Sequence, residues 1–320
     1  MHRTVCLGSH ELEQAALFLK EGLLVAFPTE TVYGLGAALF NPKAIESIFK
    51  AKGRPADNPL IAHLSSLKQV DQIAEEIPDC FHLLAESFFP GPLTVVLKRK
   101  ANVHPIVSGG LNLIALRIPS HPIASALISL VGEPIVAPSA NISGKPSSTQ
   151  ASHVLEDFEG KIAAVIDGGK TDHGIESTVV SLLGAVPVLL RPGAITKEQI
   201  EQVLGFFLQS ASNDSERALS PGMKYRHYSP KAAIKIFQTF EEIENYLFHA
   251  HPSQRMFLSQ KPLKSHLKSI ESFILTAKEF YSLLRFADQK NYDEILVLCD
   301  EELQRQDALM NRLFRSAGLS

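Results

Sequence analysis

The chain has 320 residues, with 31 Lys and Arg against 34 Asp and Glu, so its formal net charge is −3 at pH 7. An apolar fraction of 45% and a charged fraction of 20% are typical of a globular protein and exclude a largely disordered chain or a fibre. No overall basic field attracts nucleic acid, and no apolar run reaches the about 18 residues that span a bilayer, so we expect no membrane partner.

Strands and helices alternate along the first two thirds of the chain, which predicts an α/β fold. Apolar residues at helical spacing from Leu12 to Leu19 predict a first helix, and a buried strand follows at 23–27. Asn41 and Pro42 predict the capped start of the next helix. Further strands are predicted at 60–64, 93–97, 114–118, 135–137, 163–166, 178–182 and 188–190. Further helices are predicted near 66–76, 79–87, 121–130, 150–157 and 196–208.

The composition changes near Gln209, where Ser, Asn, Asp, Pro and basic residues become frequent. We therefore predict a first domain at 1–208, a linker at 209–232 and a small α/β domain at 233–320. The second domain is predicted to contain strands at 234–237, 255–259 and 294–298. Its predicted helices lie at 240–248, 277–289 and 306–316.

Polar and cationic segments lie directly before or after several of the predicted strands. They are PTETVYGLG at 28–36, KAKGRPADNPL at 50–60, PSANISG at 138–144, Ser177-Thr178, and Arg191. Because ligands bind at strand ends in α/β folds, these loops together predict a cleft for a small ligand with phosphate and carboxylate groups. Each loop alone is also compatible with an ordinary capped turn or with basic residues that compensate a helix dipole.

Arg117 lies inside an apolar strand, and a buried guanidinium requires an anion. Two interpretations stay open from the residues alone. The partner is a structural carboxylate such as Asp167 or Glu176, or it is the carboxylate of a ligand.

Common cofactor and hydrolase motifs are absent from the sequence, including the P-loop, G-x-G-x-x-G, H-E-x-x-H and G-x-S-x-G. The three cysteines, Cys6, Cys80 and Cys299, form no C-x-x-C pair, so we expect no protein-held metal and a reducing cytoplasm. Catalysis by positioning and charge neutralisation suits phosphoryl or nucleotidyl chemistry.

The loops at 28–36, 50–60, 138–144 and 177–179 resemble those of the threonylcarbamoyl-AMP synthase family, the YrdC-like proteins. SPGMKYRHYSP at 220–230 and NRLFRSAG at 311–318 resemble segments of its two-domain members. The resemblance implies a twisted mixed sheet with helices and a concave basic cleft, plus a smaller Rossmann-like α/β domain. The second domain is short for the family.

The family reaction joins L-threonine, bicarbonate or CO2, and ATP into threonylcarbamoyl-AMP and pyrophosphate. The resemblance implies Mg²⁺ with ATP, held mainly by phosphates and water. It also implies that a downstream transferase complex passes the group to adenosine 37 of tRNA, without stable tRNA binding by this chain.

The resemblance further implies roles for individual residues. The threonine site is formed by Thr31, His63, Arg117 and Ser177, with Arg117 on the substrate carboxylate. Lys52 and Arg54 are the catalytic cations, and their replacement by Ala is expected to reduce turnover at near-normal stability. The ATP site is formed by Lys50, Arg54, Asn58, Leu113, Ser139, Asn141, Ser147, Arg191 and Tyr228. Tyr225 and His227 are weaker candidates in the same linker.

Two rival functions use the same basic cleft or domain. An RNA-binding module would show RNA affinity that falls steeply with salt, and no ATP turnover. A different carbamoyl-transfer enzyme would be expected to carry acylphosphatase-like and zinc-finger regions, which this sequence lacks.

Overall fold

The computed structural model describes residues 3–211, 219–220, 228–251, 253–261 and 270–319. The chain divides into two compact units, Met1–Ser143 with Ser147–Tyr225, and Gly144–Pro146 with Arg226–Ser320. Most of the predicted linker, including Tyr225 and His227, lies outside the described residues. Within the described part, none of the helices is long and apolar enough to cross a membrane.

The described strands of the first unit form one mixed sheet. Its order is β1-β9-β2-β3-β8-β4-β7-β6-β10-β11-β12, and β5 pairs with β6. The strands are β1 (Val5–Leu7), β2 (Val25–Phe27), β3 (Gly34–Ala38), β4 (Ile61–His63), β5 (Ala74–Glu75), β6 (Leu93–Arg99), β7 (Leu113–Arg117), β8 (Ile135–Val136), β9 (Ala164–Ile166), β10 (Thr178–Ser181), β11 (Val188–Arg191) and β12 (Gln209–Ser210).

Helices cover both faces of this sheet. They are α1 (Leu12–Lys20), α2 (Pro42–Lys52), α3 (Val70–Ile73), α4 (Asp79–Phe88), α5 (Pro122–Val131), α6 (Ala151–Phe158) and α7 (Lys197–Leu204). Successive side chains of a strand point to opposite faces, and β2 shows the result. Ala26 belongs to the core cluster that contains Ile45 of α2, whereas Phe27 belongs to the cluster that contains Leu19 of α1 and Leu127 of α5.

Helix α2 begins as its sequence predicts. The Asn41 side chain accepts a hydrogen bond from the Ala44 backbone N at 3.1 Å, and Pro42 takes the first helical position. The helix ends at Gly53, whose φ of 60° is a left-handed conformation that glycine adopts without strain. These two caps fix the point at which the basic loop after α2 begins.

The predicted helix near 66–76 is wrong in its second half. A 3-10 turn at Leu67–Gln69 leads into the single turn of α3, and Ala74–Glu75 then become strand β5. Glu75 pairs with Lys98 of β6, and their side chains form an ion pair of 3.2 Å. Pairing with the last residues of β6 therefore overrides the helical pattern at these two residues.

The second unit contains a parallel sheet of order β13-β16-β14-β15. Its strands are β13 (Ala233–Phe237), β14 (Arg255–Ser259), β15 (Glu271–Ile274) and β16 (Glu294–Leu298). Its described helices are α8 (Phe240–His249), α9 (Phe280–Gln289), α10 (Glu301–Gln304) and α11 (Asp307–Ala317). Parallel strands with intervening helices are the Rossmann-like architecture that the resemblance implies.

Candidate active site

Two strand ends bring predicted threonine-site residues together. His63 ends β4 and Arg117 ends β7, and these residues are register partners in a parallel pair. Both side chains are buried. The juxtaposition follows from topology, because the carboxyl ends of neighbouring parallel strands meet at one edge of a sheet.

The turn after β2 brings Thr31 to the same place through a chain of hydroxyl hydrogen bonds. The Thr29 hydroxyl donates to the Val32 carbonyl at 2.7 Å, so the Thr31 hydroxyl donates to Thr29 Oγ1 at 2.8 Å. Arg117 Nη1 in turn donates to Thr31 Oγ1 at 3.0 Å. Arg117 and Thr31 are therefore held in a fixed relation before any substrate binds.

The anion beside Arg117 is a carboxylate that the sequence interpretation did not name. Arg117 Nη2 forms a buried ion pair with Glu30 Oε1. The structural partner is therefore neither Asp167, which accepts from the Gly169 backbone N, nor Glu176, which accepts from Ser147. The available signal was an acidic residue next to Thr31, in a turn that directly follows a buried strand.

His63 is neutral in this environment. Burial, and to a lesser extent the nearby charge of Arg117, together lower its pKa from 6.5 to about 3. Its Nδ1 lies 3.1 Å from the Ile61 carbonyl, which accepts a hydrogen bond from Nδ1 in the tautomer that carries the proton there. An edge contact with Phe27, at 5.9 Å between ring centroids, fixes the plane of the ring.

Ser177 and Arg191 touch each other at the start of β10 and the end of β11. Arg191 Nη2 donates to Ser177 Oγ at 3.2 Å, and its Nε donates to the Ser177 carbonyl at 3.1 Å. Ser177 Oγ also lies 2.8 Å from the hydroxyl of Thr94. One predicted threonine-site residue is thus joined directly to one predicted ATP-site residue.

Lys52 points into the protein and holds the loop at 138–143. Its ammonium donates to the backbone carbonyls of Ser139, at 2.5 Å, and Asn141. The Ser143 backbone N donates back to the Lys52 carbonyl at 2.9 Å, and Ser139 Oγ donates to Asn141 Oδ1 at 2.5 Å. Helix α2 therefore sets the conformation of this loop. Lys50, two residues earlier on the same helix, is exposed.

The remaining predicted ATP-site residues of the first unit lie in three places. Arg54 Nη2 donates to the Pro59 carbonyl at 3.0 Å and so closes the loop that contains the buried Asn58. Ser147 Oγ donates to Glu176 Oε1 at 2.6 Å. Leu113 lies at the start of β7 opposite Lys98, away from the strand end that carries Arg117.

Tyr228 belongs to the second unit. Its ring packs against Tyr281 at 5.2 Å between centroids, and the Arg312 guanidinium lies 5.9 Å above it. Its φ of 65° is left-handed, which is strained for an aromatic residue. Its contact with ATP stays a prediction.

Among the described residues, no three His, Cys, Asp or Glu side chains are placed to hold a metal ion together. The described site instead contains hydroxyls, a neutral imidazole and buried cations, with Glu30 and Glu176 as its acids. Such an arrangement can bind and orient an anionic ligand, because its donors are fixed by backbone and side-chain contacts.

Two families match the chain in succession. The family described as "Telomere recombination" matches residues 17–193, and the family described as "Threonylcarbamoyl-AMP synthase, C-terminal domain" matches residues 195–318. The chain is 45% identical to the threonylcarbamoyl-AMP synthase of Pyrococcus abyssi, over 95% of this chain and 93% of that protein. It is 42% identical to the threonylcarbamoyl-AMP synthase of Bacillus subtilis, over 96% and 93%.

Solved structures agree with these similarities. The crystal structure of P. abyssi Sua5 complexed with L-threonine superposes with a TM-score of 0.90 at 42% identity, and covers 99% of this chain and 98% of that chain. The chain also resembles E. coli YciO in fold, with a TM-score of 0.54 at 23% identity over 61% of this chain and 97% of that chain.

Proposed function

The chain belongs to the threonylcarbamoyl-AMP synthase family, and from this premise we propose that it converts L-threonine, bicarbonate or CO2, and ATP into threonylcarbamoyl-AMP and pyrophosphate. The observation that carries the proposal is similarity along nearly the whole chain, at 45% identity to a relative of that name. The loops that match the family also supply the buried polar groups of the site.

The first step that we propose is carbamate formation on the threonine amine. The nitrogen forms a bond to the carbon of CO2 and releases a proton to solvent, or, with bicarbonate, a water molecule leaves. Arg117 takes the substrate carboxylate, Thr31 and Ser177 offer hydroxyls to its polar groups, and the neutral His63 forms part of the wall. A carbamate oxygen then attacks the α-phosphorus of ATP, the bond from that phosphorus to the bridging oxygen breaks, and pyrophosphate leaves.

ATP is proposed to lie beside the loops that α2 and Lys52 position. Its proposed contacts are Lys50, Arg54, Asn58, Ser139, Asn141, Ser147, Arg191 and Tyr228, with Leu113 through packing or backbone. Cations at the phosphates would neutralise the charge that develops as pyrophosphate leaves. Mg²⁺ is proposed to arrive on the phosphates and water, where it would supply further charge neutralisation.

The product is a mixed anhydride that water hydrolyses, so a cytoplasmic transferase must consume it promptly. We propose that the downstream partner is the complex that transfers the threonylcarbamoyl group to tRNA. This chain would not need to hold tRNA itself.

The proposal is tested by pyrophosphate release from ATP with the purified full-length chain. Release is expected to require both L-threonine and bicarbonate, and serine and glycine are the control substrates. Pyrophosphate release without threonine would support the proposed nucleotide site but contradict threonine as the substrate. No release by folded protein would contradict the enzyme itself and favour the RNA-binding alternative.

A further inference from the structure

Glu30 combines two properties that a purely structural ion pair does not need. It is 3% exposed, and its Oε1 is taken by Arg117. Its second oxygen, Oε2, is buried and accepts no hydrogen bond from any described residue. A buried carboxylate oxygen without a donor is costly, because its hydrogen bonds to water are lost and not replaced.

The Arg117 side of the same pair shows a matching feature. Arg117 is 2% exposed, and its Nε is buried without an acceptor among the described residues. Guanidinium and carboxylate therefore each retain one unused hydrogen-bonding atom at a single buried place. The two atoms have opposite chemical character, one a donor and the other an acceptor.

Hydrogen bonds at residues 29–31 fix the backbone from which the Glu30 side chain extends. The His173 backbone N donates to the Glu30 carbonyl at 2.8 Å, and the Thr31 backbone N donates to Thr29 Oγ1 at 3.2 Å. Gly174 N donates to the Thr31 carbonyl at 3.1 Å on the following residue. Together with the ion pair to Arg117, this fixed backbone positions the carboxylate before a ligand binds, which lowers the cost of specific recognition.

We propose that Glu30 is a substrate-binding residue whose Oε2 accepts a hydrogen bond from the ammonium group of the amino-acid substrate, while Oε1 orients Arg117 for its carboxylate. This inference rests on the proposed function and assigns a role to a residue outside the threonine site predicted above. A zwitterion placed against the pair would give four charges of alternating sign, in which each charge is compensated. The site would thereby select amino acids over acids that lack the amine.

The alternative is that Glu30 only anchors Arg117. The two roles predict different effects on the affinities of two ligands when the negative charge of Glu30 is removed. One ligand is L-threonine, and the other is the dihydroxy acid in which a hydroxyl replaces the threonine amine. Both ligands carry the carboxylate that Arg117 would bind, but only threonine carries the ammonium.

The test measures the affinity of both ligands by calorimetry for the full-length chain and for Glu30→Gln. The amide retains an oxygen for Arg117 but removes the negative charge. Because a hydrogen bond to a charged group contributes about 1.5–3 kcal/mol, the unmodified protein should prefer threonine by at least about tenfold. In Glu30→Gln this preference should fall to within about threefold. Glu201→Gln, at a site remote from Arg117, is the matched control and should retain the preference.

Each outcome either supports or contradicts the proposed role of Glu30. A folded Glu30→Gln that weakens both ligands by the same factor would leave Glu30 an anchor and overturn the proposal, as would equal affinities in the unmodified protein. ATP affinity and melting temperature report whether the variant is folded. If it is not, Glu30→Asp replaces it: its shorter side chain retracts the free oxygen, and an unchanged preference would overturn the proposal.

The proposed function is measured separately, by pyrophosphate release that depends on threonine. That release does not depend on whether the variants lose their preference for threonine over the dihydroxy acid. If the unmodified protein releases pyrophosphate with threonine but the preference does not depend on Glu30, only this inference fails. If it neither binds threonine nor releases pyrophosphate, the proposed function fails.

Discussion

Buried cations distinguish the candidate site from an ordinary surface cleft. Lys52, Arg54, Arg117 and Arg191 are 2%, 8%, 2% and 3% exposed, so each must find acceptors inside the protein. Three of them donate to backbone carbonyls, and Arg117 pairs with a carboxylate. A cation that holds a carbonyl fixes the backbone, so these side chains contribute to the shape of the loops as well as to their charge.

Burial of Lys52 alters what its removal should do. The sequence interpretation expects Lys52→Ala to reduce turnover at near-normal stability. Because its ammonium holds the carbonyls of Ser139 and Asn141, we now expect the variant also to lose about 1–3 kcal/mol of unfolding free energy. Urea denaturation measures the loss. The exposed Lys50→Ala is the control and should change stability by less than about 0.5 kcal/mol.

His63 makes a specific prediction about pH. Its pKa is about 3 in the folded protein, against an ordinary value of 6.5, so between these limits the unfolded chain binds the extra proton. Stability from this group is therefore complete above the ordinary pKa and is lost as pH falls, by up to about 1.4 kcal/mol per pH unit.

The measurement is urea denaturation at several values from pH 7 to about pH 5, for the unmodified chain and for His63→Gln. The variant should show a shallower loss of stability over that range. The exposed His10→Gln should keep the slope of the unmodified chain. Equal slopes in all three proteins would show that the imidazole of His63 is not held neutral.

At the residue scale, only the family resemblance grouped His63 with Arg117. The structure shows why they meet, because they are register partners at the ends of two neighbouring parallel strands. The sequence did not predict Glu30 as the partner of Arg117. The contact joins residues 87 positions apart, and its existence depends on how the turn after β2 folds, which periodicity does not report. The role of Lys52 as a clamp on carbonyls was hidden for the same reason.

At the scale of elements, Gly193 controls how the end of β11 passes the start of β10. A Cβ at this position would overlap the backbone N of Thr178 and the carbonyl carbon of Ser177, and both are backbone atoms that cannot rotate away. Gly193→Ala should therefore displace Ser177, weaken threonine binding and lower stability by about 1–3 kcal/mol.

Gly184→Ala is the matched control, because it lies in the hairpin between the same two strands and the nearest atom to its added Cβ is 3.9 Å away. We expect it to change stability by less than about 0.5 kcal/mol and to leave threonine affinity unaltered. Calorimetric binding and thermal melting of the two variants distinguish a local steric effect from a general effect of replacing glycine. Equal behaviour of the pair would contradict the steric argument.

The predicted elements that the structure reproduces are those with strong apolar runs or clear caps, such as β6, β7 and α2. Strand β3 was missed because its sequence, GLGAA, has a low strand propensity. It forms because its glycines admit close neighbours: a Cβ on Gly36 would lie 2.9 Å from atoms of Ile135 and Phe27. Strand β1 was missed because it has three residues, two of them exposed.

At the scale of the whole molecule, charge separates the proposed enzyme from the RNA-binding alternative. A net charge of −3 gives no long-range attraction for a polyanion, and the cations of the site are buried rather than spread over a surface. We expect duplex RNA to bind no tighter than about 10⁻⁶ M at about 0.15 M salt. Fluorescence anisotropy with a labelled duplex measures this, and nanomolar binding would restore the alternative.

The position of β9 in the first sheet has a consequence for synthesis on the ribosome. Ala164 is the register partner of both Val5 and Val25, so β9 lies between two strands made far earlier. At about 5–20 residues per second, the ribosome needs roughly 7–28 s to extend the chain by the about 140 residues from β2 to β9. Throughout that interval the nascent chain carries an N-terminal strand that has nothing to pair with and a β2 edge open to other chains. A ribosome that stalls before it reaches Ala164 would therefore release a fragment in which β1 and the edge of β2 are both unpaired. Chaperones would capture such a fragment, or it would aggregate.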